Sequence, residues 1–172
     1  WRHFIRLAPR AAVGLLQGKS IIRAVTPKMM KHTYISISPE TGQFLYLTAR
    51  TVNARQIVEF GTSFGISTIY LAAAIKDNGG GILIGTELEE SKQKVAVANL
   101  KKAGLDNLID IRPGDALETL KNVPDQIDMV FLDGWKDLYV PVIKLLKPRL
   151  RPGAVIIAED VLAFKRICKP YT

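Results

Sequence analysis

From Gln56 onward, short apolar and β-branched runs alternate with longer segments whose apolar residues recur at helical spacing, and this rhythm restricts the fold more than any other feature of the chain. Strands are predicted at Gln56–Phe60, Ile82–Thr86, Leu108–Ile111, Ile127–Leu132 and Ala154–Ala158. Helices are predicted at Ser67–Ile75, Glu90–Ala103, Ala116–Lys121 and Lys136–Leu150. Upstream, Ser38-Pro39-Glu40-Thr41 carries the marks of a helix start: Ser as N-cap, Pro at the first position and an early acid, with the helix running to about Thr51. Such alternation implies parallel strands joined by right-handed crossovers with helices on both faces, a doubly wound, mostly parallel α/β sheet. The strands read as apolar on both sides, which suits a buried parallel sheet. Pro141 falls inside the last helical segment, so a late start or a kink is expected there. Gly104 and Gly153 fit helix-ending and turn positions.

A chain of 172 residues with 48% hydrophobic content can bury a sizeable core, which rules out long disorder, collagen and miniature disulfide scaffolds. Cys168 alone cannot form an internal disulfide, and no Cys/His cluster offers a tetrahedral zinc site. A reducing compartment is the default. No apolar run approaches the roughly 20 residues that span a bilayer, and Ala11–Leu16 lacks a convincing cleavage site, so a soluble, cytoplasmic protein with no membrane span is expected. The net charge of +8 is unevenly placed: Arg2, Arg6, Arg10, Lys19, Arg23, Lys28 and Lys31 precede the first acid, leaving 17 basic against 16 acidic residues afterwards. The chain therefore divides into a basic helical leader, residues 1–37, and a domain of residues 38–172. The leader either touches nucleic acid, an anionic lipid surface or a partner's acidic face, or packs as a solvated helix on its own domain. The balanced remainder is no nucleic-acid-binding body, and no nucleic-acid partner is expected.

In an open parallel sheet ligands bind outside the carboxyl ends of the strands, so the residues after each strand matter most. The first strand leads into Glu59-Phe60-Gly61-Thr62-Ser63-Phe64-Gly65-Ile66-Ser67, a turn in which Gly61 and Gly65 permit close approach of a ligand and the helix amides can receive a carboxylate. It is neither the GxGxxG dinucleotide fingerprint, since Ser63 takes the middle glycine's place, nor a P-loop. The plainer alternative is a tight structural turn. After the second strand, Glu87 can accept two hydrogen bonds from a ribose diol or cap a helix. After the third, Asp115 can accept from an exocyclic amine or cap the helix starting at Ala116.

The fourth strand ends in Phe131-Leu132-Asp133-Gly134-Trp135-Lys136-Asp137 and the fifth in Ala158-Glu159-Asp160. If these strands are neighbours, Asp133, Glu159 and Asp160 converge at one rim. Three unpaired carboxylates repel one another, and a hard divalent cation such as Mg²⁺ is the usual remedy. Alternatively Lys136 pairs with one acid, Asp160 caps a helix and no metal binds. Beside such a cation Lys136 would be suited to general-base work.

These residues resemble the cation-dependent O-methyltransferases that use S-adenosylmethionine, the group containing catechol O-methyltransferase and the caffeoyl-CoA O-methyltransferases. The resemblance covers about Ser38 to Val161 and is most specific in Phe131-Leu132-Asp133-Gly134-Trp135-Lys136-Asp137-Leu138-Tyr139. It implies a Rossmann-like class I methyltransferase fold, with Glu59, Gly61, Ser63, Gly65 and Ser67 in the loop that holds the amino-acid part of the cofactor. It further implies Glu87 on the ribose hydroxyls, Asp115 and Ala116 flanking the adenine and Trp135 on its edge, with Asp133 also among the cofactor-binding residues. By the same resemblance Asp133 is the first metal ligand, Glu159 and Asp160 are the others, and Lys136 is the catalytic lysine. Two departures stand out: Gly134 replaces a His of the catechol enzyme, and Glu159-Asp160 replaces the usual Asp-Asn, adding a negative charge. Members of the group continue into further strands, whereas 12 residues follow Asp160 here, so the last C-terminal strands are expected to be lacking.

The resemblance implies methyl transfer to a hydroxyl of a small, aromatic acceptor with a divalent cation assisting, and it allows a homodimer. The rival readings are a metal-independent methyltransferase and a cofactor-binding, non-catalytic module whose basic leader docks on a partner.

Overall fold

The computed structural model describes residues 36–161; residues 1–35 of the basic leader, and Cys168, lie outside the described residues. In chain order the elements are α1 (Pro39–Thr51), β1 (Gln56–Phe60), α2 (Ile66–Asp77), β2 (Ile82–Glu87), α3 (Glu90–Lys102), β3 (Ile109–Pro113), α4 (Ala116–Thr119), β4 (Ile127–Leu132), α5 (Tyr139–Leu146) and β5 (Leu150–Ala158). The α1 start is as expected: the Ser38 hydroxyl accepts from the Thr41 amide at 3.2 Å, with Pro39 in the first turn. The segment read as one helix from Lys136 to Leu150 is divided. A short 3₁₀ turn, Lys136–Leu138, precedes α5, which begins late, with Pro141 in its first turn, where a missing amide costs nothing.

The described strands form one parallel sheet in the order β3-β2-β1-β4-β5. Alternate side chains feed two cores. Ile57, Leu83, Met129 and Phe131 pack with Leu45, Leu71, Ile75 and Leu100 from α1, α2 and α3. Val58, Phe60, Ile84, Val130 and Leu132 pack on the other face with Ala116, Tyr139, Val142 and Leu146 from α4 and α5. The doubly wound expectation therefore holds, and the chain reverses direction of travel at β1, whose two neighbours are β2 and β4. That is the switch point at which such sheets open a crevice.

Two strand starts differ from expectation, and several element ends shift by one or two residues. β3 starts one residue late because a 3₁₀ turn, Asp106–Leu108, takes up Leu108. β5 starts at Leu150 rather than Ala154, and its pairing jumps from Ile127↔Leu150 to Met129↔Val155. Gly153 lies within that irregularity at φ 77°, a strand bulge and not a helix end or turn. Among the described residues no helix is long and apolar enough to cross a membrane.

Candidate active site

Main-chain hydrogen bonds continue past the strand ends and set the rim in order. The Gly114 amide donates to the Glu87 carbonyl, the Gly61 and Thr62 amides to Thr86, the Asp133 amide to Phe60 and the Glu159 amide to Leu132. The rim thus runs Gly114, Glu87, Gly61, Asp133, Glu159, with Glu87, Asp133 and Glu159 on the same edge.

The loop after β1 is built around Glu59, which is completely buried. Its Oε1 accepts from Ser67 Oγ at 2.6 Å, and its Oε2 accepts from Thr68 Oγ1 at 2.6 Å and Thr62 Oγ1 at 3.0 Å. Burial pushes the Glu59 carboxyl up, against the three hydroxyls that favour its charged form. Glu59 and Ser67 are therefore engaged with each other inside the loop. Thr62 and Thr68, unremarked in the sequence, complete the set; both hydroxyls lie at a strand end or helix start beside an acid, which is the signal that could have found them.

Gly61 has φ 99°, and a Cβ on it would stand 2.6 Å from the Gly134 nitrogen and 2.8 Å from the Asp133 carbonyl carbon. The loop thus lies with its backbone directly on the Asp133-Gly134 step. Gly65 (φ 84°) precedes α2 and is packed against Ala96. Ser63, at φ 50°, has a buried Oγ with no hydrogen-bond partner in the protein. A buried hydroxyl without a partner at a strained turn is a position prepared for a polar ligand. Such a hydroxyl would suit a polar group such as the amino-acid part of S-adenosylmethionine.

Glu87 is buried and reaches both ways: Oε2 accepts from the Ser63 amide at 2.8 Å and Oε1 from the Glu89 amide at 2.9 Å. Each carboxylate oxygen retains a lone pair for a diol. Asp115 caps α4, its Oδ1 accepting from the Leu117 amide at 2.8 Å, and Ala116 is buried beneath it. Of the two roles left open for Asp115, the cap is the one present.

On the other side of Gly61, Lys136 Nζ lies 3.5 Å from Asp133 Oδ1 and 3.8 Å from Asp160 Oδ2. Burial, with the Glu159 and Glu59 carboxylates adding to it, pushes the Asp133 carboxyl up to about 7 against the opposing pull of Lys136. Burial and then Asp160 raise Glu159. The donors are hard oxygens and one lysine does not offset them, so their chemistry suits Mg²⁺. Their spacing is open: among the described residues no three His, Cys, Asp or Glu side chains are grouped so as to hold a metal ion. Trp135 is half-buried and leads into the Lys136–Leu138 turn. Gly134 has no room for a side chain, since a Cβ would lie 2.5–2.8 Å from the Phe60 ring. Phe60 therefore fills the space that a larger residue at that position would need.

Residues 58–161 match a protein family described as a methyltransferase domain. The chain is 36% identical over 132 residues to a catechol O-methyltransferase of Niastella koreensis, covering 74% of this chain and 59% of that protein. It is 30% identical over 149 residues to a caffeoyl-CoA O-methyltransferase of Medicago sativa, covering 82% and 58%. The crystal structure of an O-methyltransferase from Bacillus cereus in complex with SAH superposes with a TM-score of 0.68 at 32% identity, covering 72% of this chain and 57% of that one. The chain spans somewhat under three-fifths of the length of these relatives. With its rim of acids, its glycine-bearing loop and the parallel sheet that aligns them, the chain belongs to the methyltransferase-domain family, among relatives that are O-methyltransferases.

Proposed function

We propose that this domain binds S-adenosylmethionine across the ends of β1 and β2 and supports methyl transfer to a hydroxyl of a small aromatic acceptor at the Asp133–Lys136 side of the rim. The observation that carries this reading is the contact at Gly61: the loop with the unpartnered Ser63 hydroxyl and the lysine–carboxylate cluster meet backbone to backbone. When bound, S-adenosylmethionine supplies an electrophilic methyl group, which the acceptor oxygen takes as the C–S electron pair stays on sulfur. The relatives named for catechol and caffeoyl-CoA motivate an aromatic acceptor with adjacent oxygens.

In this reading the Ser63 hydroxyl holds the amino-acid end, and Glu87 holds the ribose. Lys136 serves as the general base for the acceptor hydroxyl, with Asp133 and Asp160 beside it to offset positive charge. Trp135, at the mouth of the same turn, supplies a flat apolar wall. Positioning and charge compensation do the catalytic work, since displacement at carbon needs an aligned nucleophile. Asp133, Glu159 and Asp160 are the hard-oxygen donors that would hold a divalent cation only if drawn closer together, and it would then supply positive charge that acidifies the acceptor hydroxyl.

Lys136→Ala and Asp133→Ala should keep the calorimetric affinity for S-adenosylhomocysteine within about threefold while losing turnover of catechol by about a hundredfold or more. Wild-type rates in both variants would sink the mechanism. A second reading, a metal-independent methyltransferase, is favoured by the ungrouped carboxylates and by Lys136 standing within ion-pair reach of two of them. Activity undiminished by EDTA selects it.

A further inference from the structure

Tyr139 opens α5 and is fully buried although it carries a hydroxyl. Buried hydroxyls are hydrogen-bonded, and this one is used from several sides. It accepts from Lys136 Nζ at 2.7 Å and donates to the Leu132 carbonyl at 2.8 Å, with the Glu159 carbonyl 3.1 Å away. Leu132 immediately precedes Asp133, and Glu159 follows β5. One oxygen atom therefore ties the lysine to the ends of both strands that carry the acids. The ring is braced as well: Phe60 meets it edge to face at 6.2 Å and 77°, and Lys136 Nζ stands 5.0 Å from its centroid.

A lysine side chain is a flexible stem ending in equivalent donors, so a base built from one needs something to fix its direction. Because the Tyr139 proton is committed to main-chain carbonyls, its oxygen faces Lys136 as an acceptor and holds one N–H. Asp133 Oδ1, at 3.5 Å, faces a second. Those two contacts fix the direction of the side chain's end.

We propose that Tyr139 is a positioning residue that aims the Lys136 amine at the acceptor hydroxyl; the proposal rests on the reading of Lys136 as the base. The i,i+3 spacing of Lys136 and Tyr139 puts them on one side of the turn leading into α5.

The test uses the whole chain with S-adenosylmethionine and catechol as the probe acceptor, rates being taken per S-adenosylhomocysteine-binding molecule. Tyr139→Phe keeps the ring and its packing. Its kcat should fall about tenfold or more, with KM for catechol and the S-adenosylhomocysteine Kd within about threefold. In a Lys136→Ala background the same substitution should change turnover by less than about twofold, because the group it aims is gone. Melting temperature gives a readout free of turnover: Tyr139→Phe should lower it more with Lys136 present than in Lys136→Ala. Wild-type kcat in Tyr139→Phe, independent losses in the double variant, or equal melting shifts in both backgrounds each overturn the proposal. Wild-type turnover in Lys136→Ala removes the base reading itself, and with it the proposal, so the two failures are told apart.

Discussion

Replacing Gly61 by Ala puts a methyl group into the seam between the loop after β1 and the Asp133-Gly134 step. Two costs combine. A side chain at φ 99° is held outside the wells open to L-residues, roughly 1–3 kcal/mol. The new Cβ also meets main-chain atoms at 2.6–2.8 Å, which cannot swing aside, and overpacking of this kind costs roughly another 1–3 kcal/mol. The total, about 2–6 kcal/mol, is a large part of the roughly 5–15 kcal/mol that holds a domain folded. Gly80 supplies the control, with φ 97° and nothing within 4 Å of its would-be Cβ. Gly80→Ala should show the backbone cost alone. Urea unfolding followed by circular dichroism, with calorimetric titration of S-adenosylhomocysteine, separates the two. Gly61→Ala should be the less stable variant by about 1–3 kcal/mol and should bind the ligand about tenfold more weakly or worse, while Gly80→Ala binds as wild type. Equal stability losses with equal affinities would refute the seam as the point where loop and acid cluster are joined.

Ser63→Ala should leave unfolding within about 0.5 kcal/mol of wild type, because the hydroxyl has no partner in the protein, yet weaken S-adenosylhomocysteine binding about two- to tenfold by calorimetry. Asp133, raised by burial to about 7 from 3.8, contributes stability that is complete below about pH 4 and lost as pH rises through about 7. Thermal melts of metal-free Asp133→Asn should therefore gain on wild type at pH 8 relative to pH 5, and parallel pH curves would contradict the assignment. Asp128, at the opposite end of the sheet, behaves in the reverse sense. Burial pushes its carboxyl up, but the Arg55 and Gln56 amides and the Arg151 guanidinium outweigh that and hold it low. Its contribution is present above about pH 4 and fades as pH falls. Asp128→Ala should cost roughly 1–3 kcal/mol at pH 7, less near pH 3, without changing ligand affinity.

β1 and β4 fall where the sequence placed them because both are central, buried on two faces, and bounded by residues that cannot continue an apolar run. β5 was read short for the opposite reason: Arg151-Pro152-Gly153 has no apolar signature, and its extended path is a consequence of pairing with β4 through a bulge. At the rim the acids were legible, since knowing where parallel strands end is enough to know which residues share an edge. What those acids are doing was less so. Whether Asp115 caps or binds depends on one amide, and the hydroxyls of Thr62 and Thr68 close on Glu59 only because the turn and the start of α2 fold back together. Tyr139 stood in the most specific run of the sequence, but its role comes from reaching two strand ends at once, a relation that exists only in three dimensions.

Glu87 grips one amide in each of two successive loops. In the proposed reading the nucleoside half and the amino-acid half of the cradle therefore share a single clasp. Occupying one half prepays the ordering of the other, so the pocket should respond to its ligand as an indivisible whole and not as two adjoining pieces.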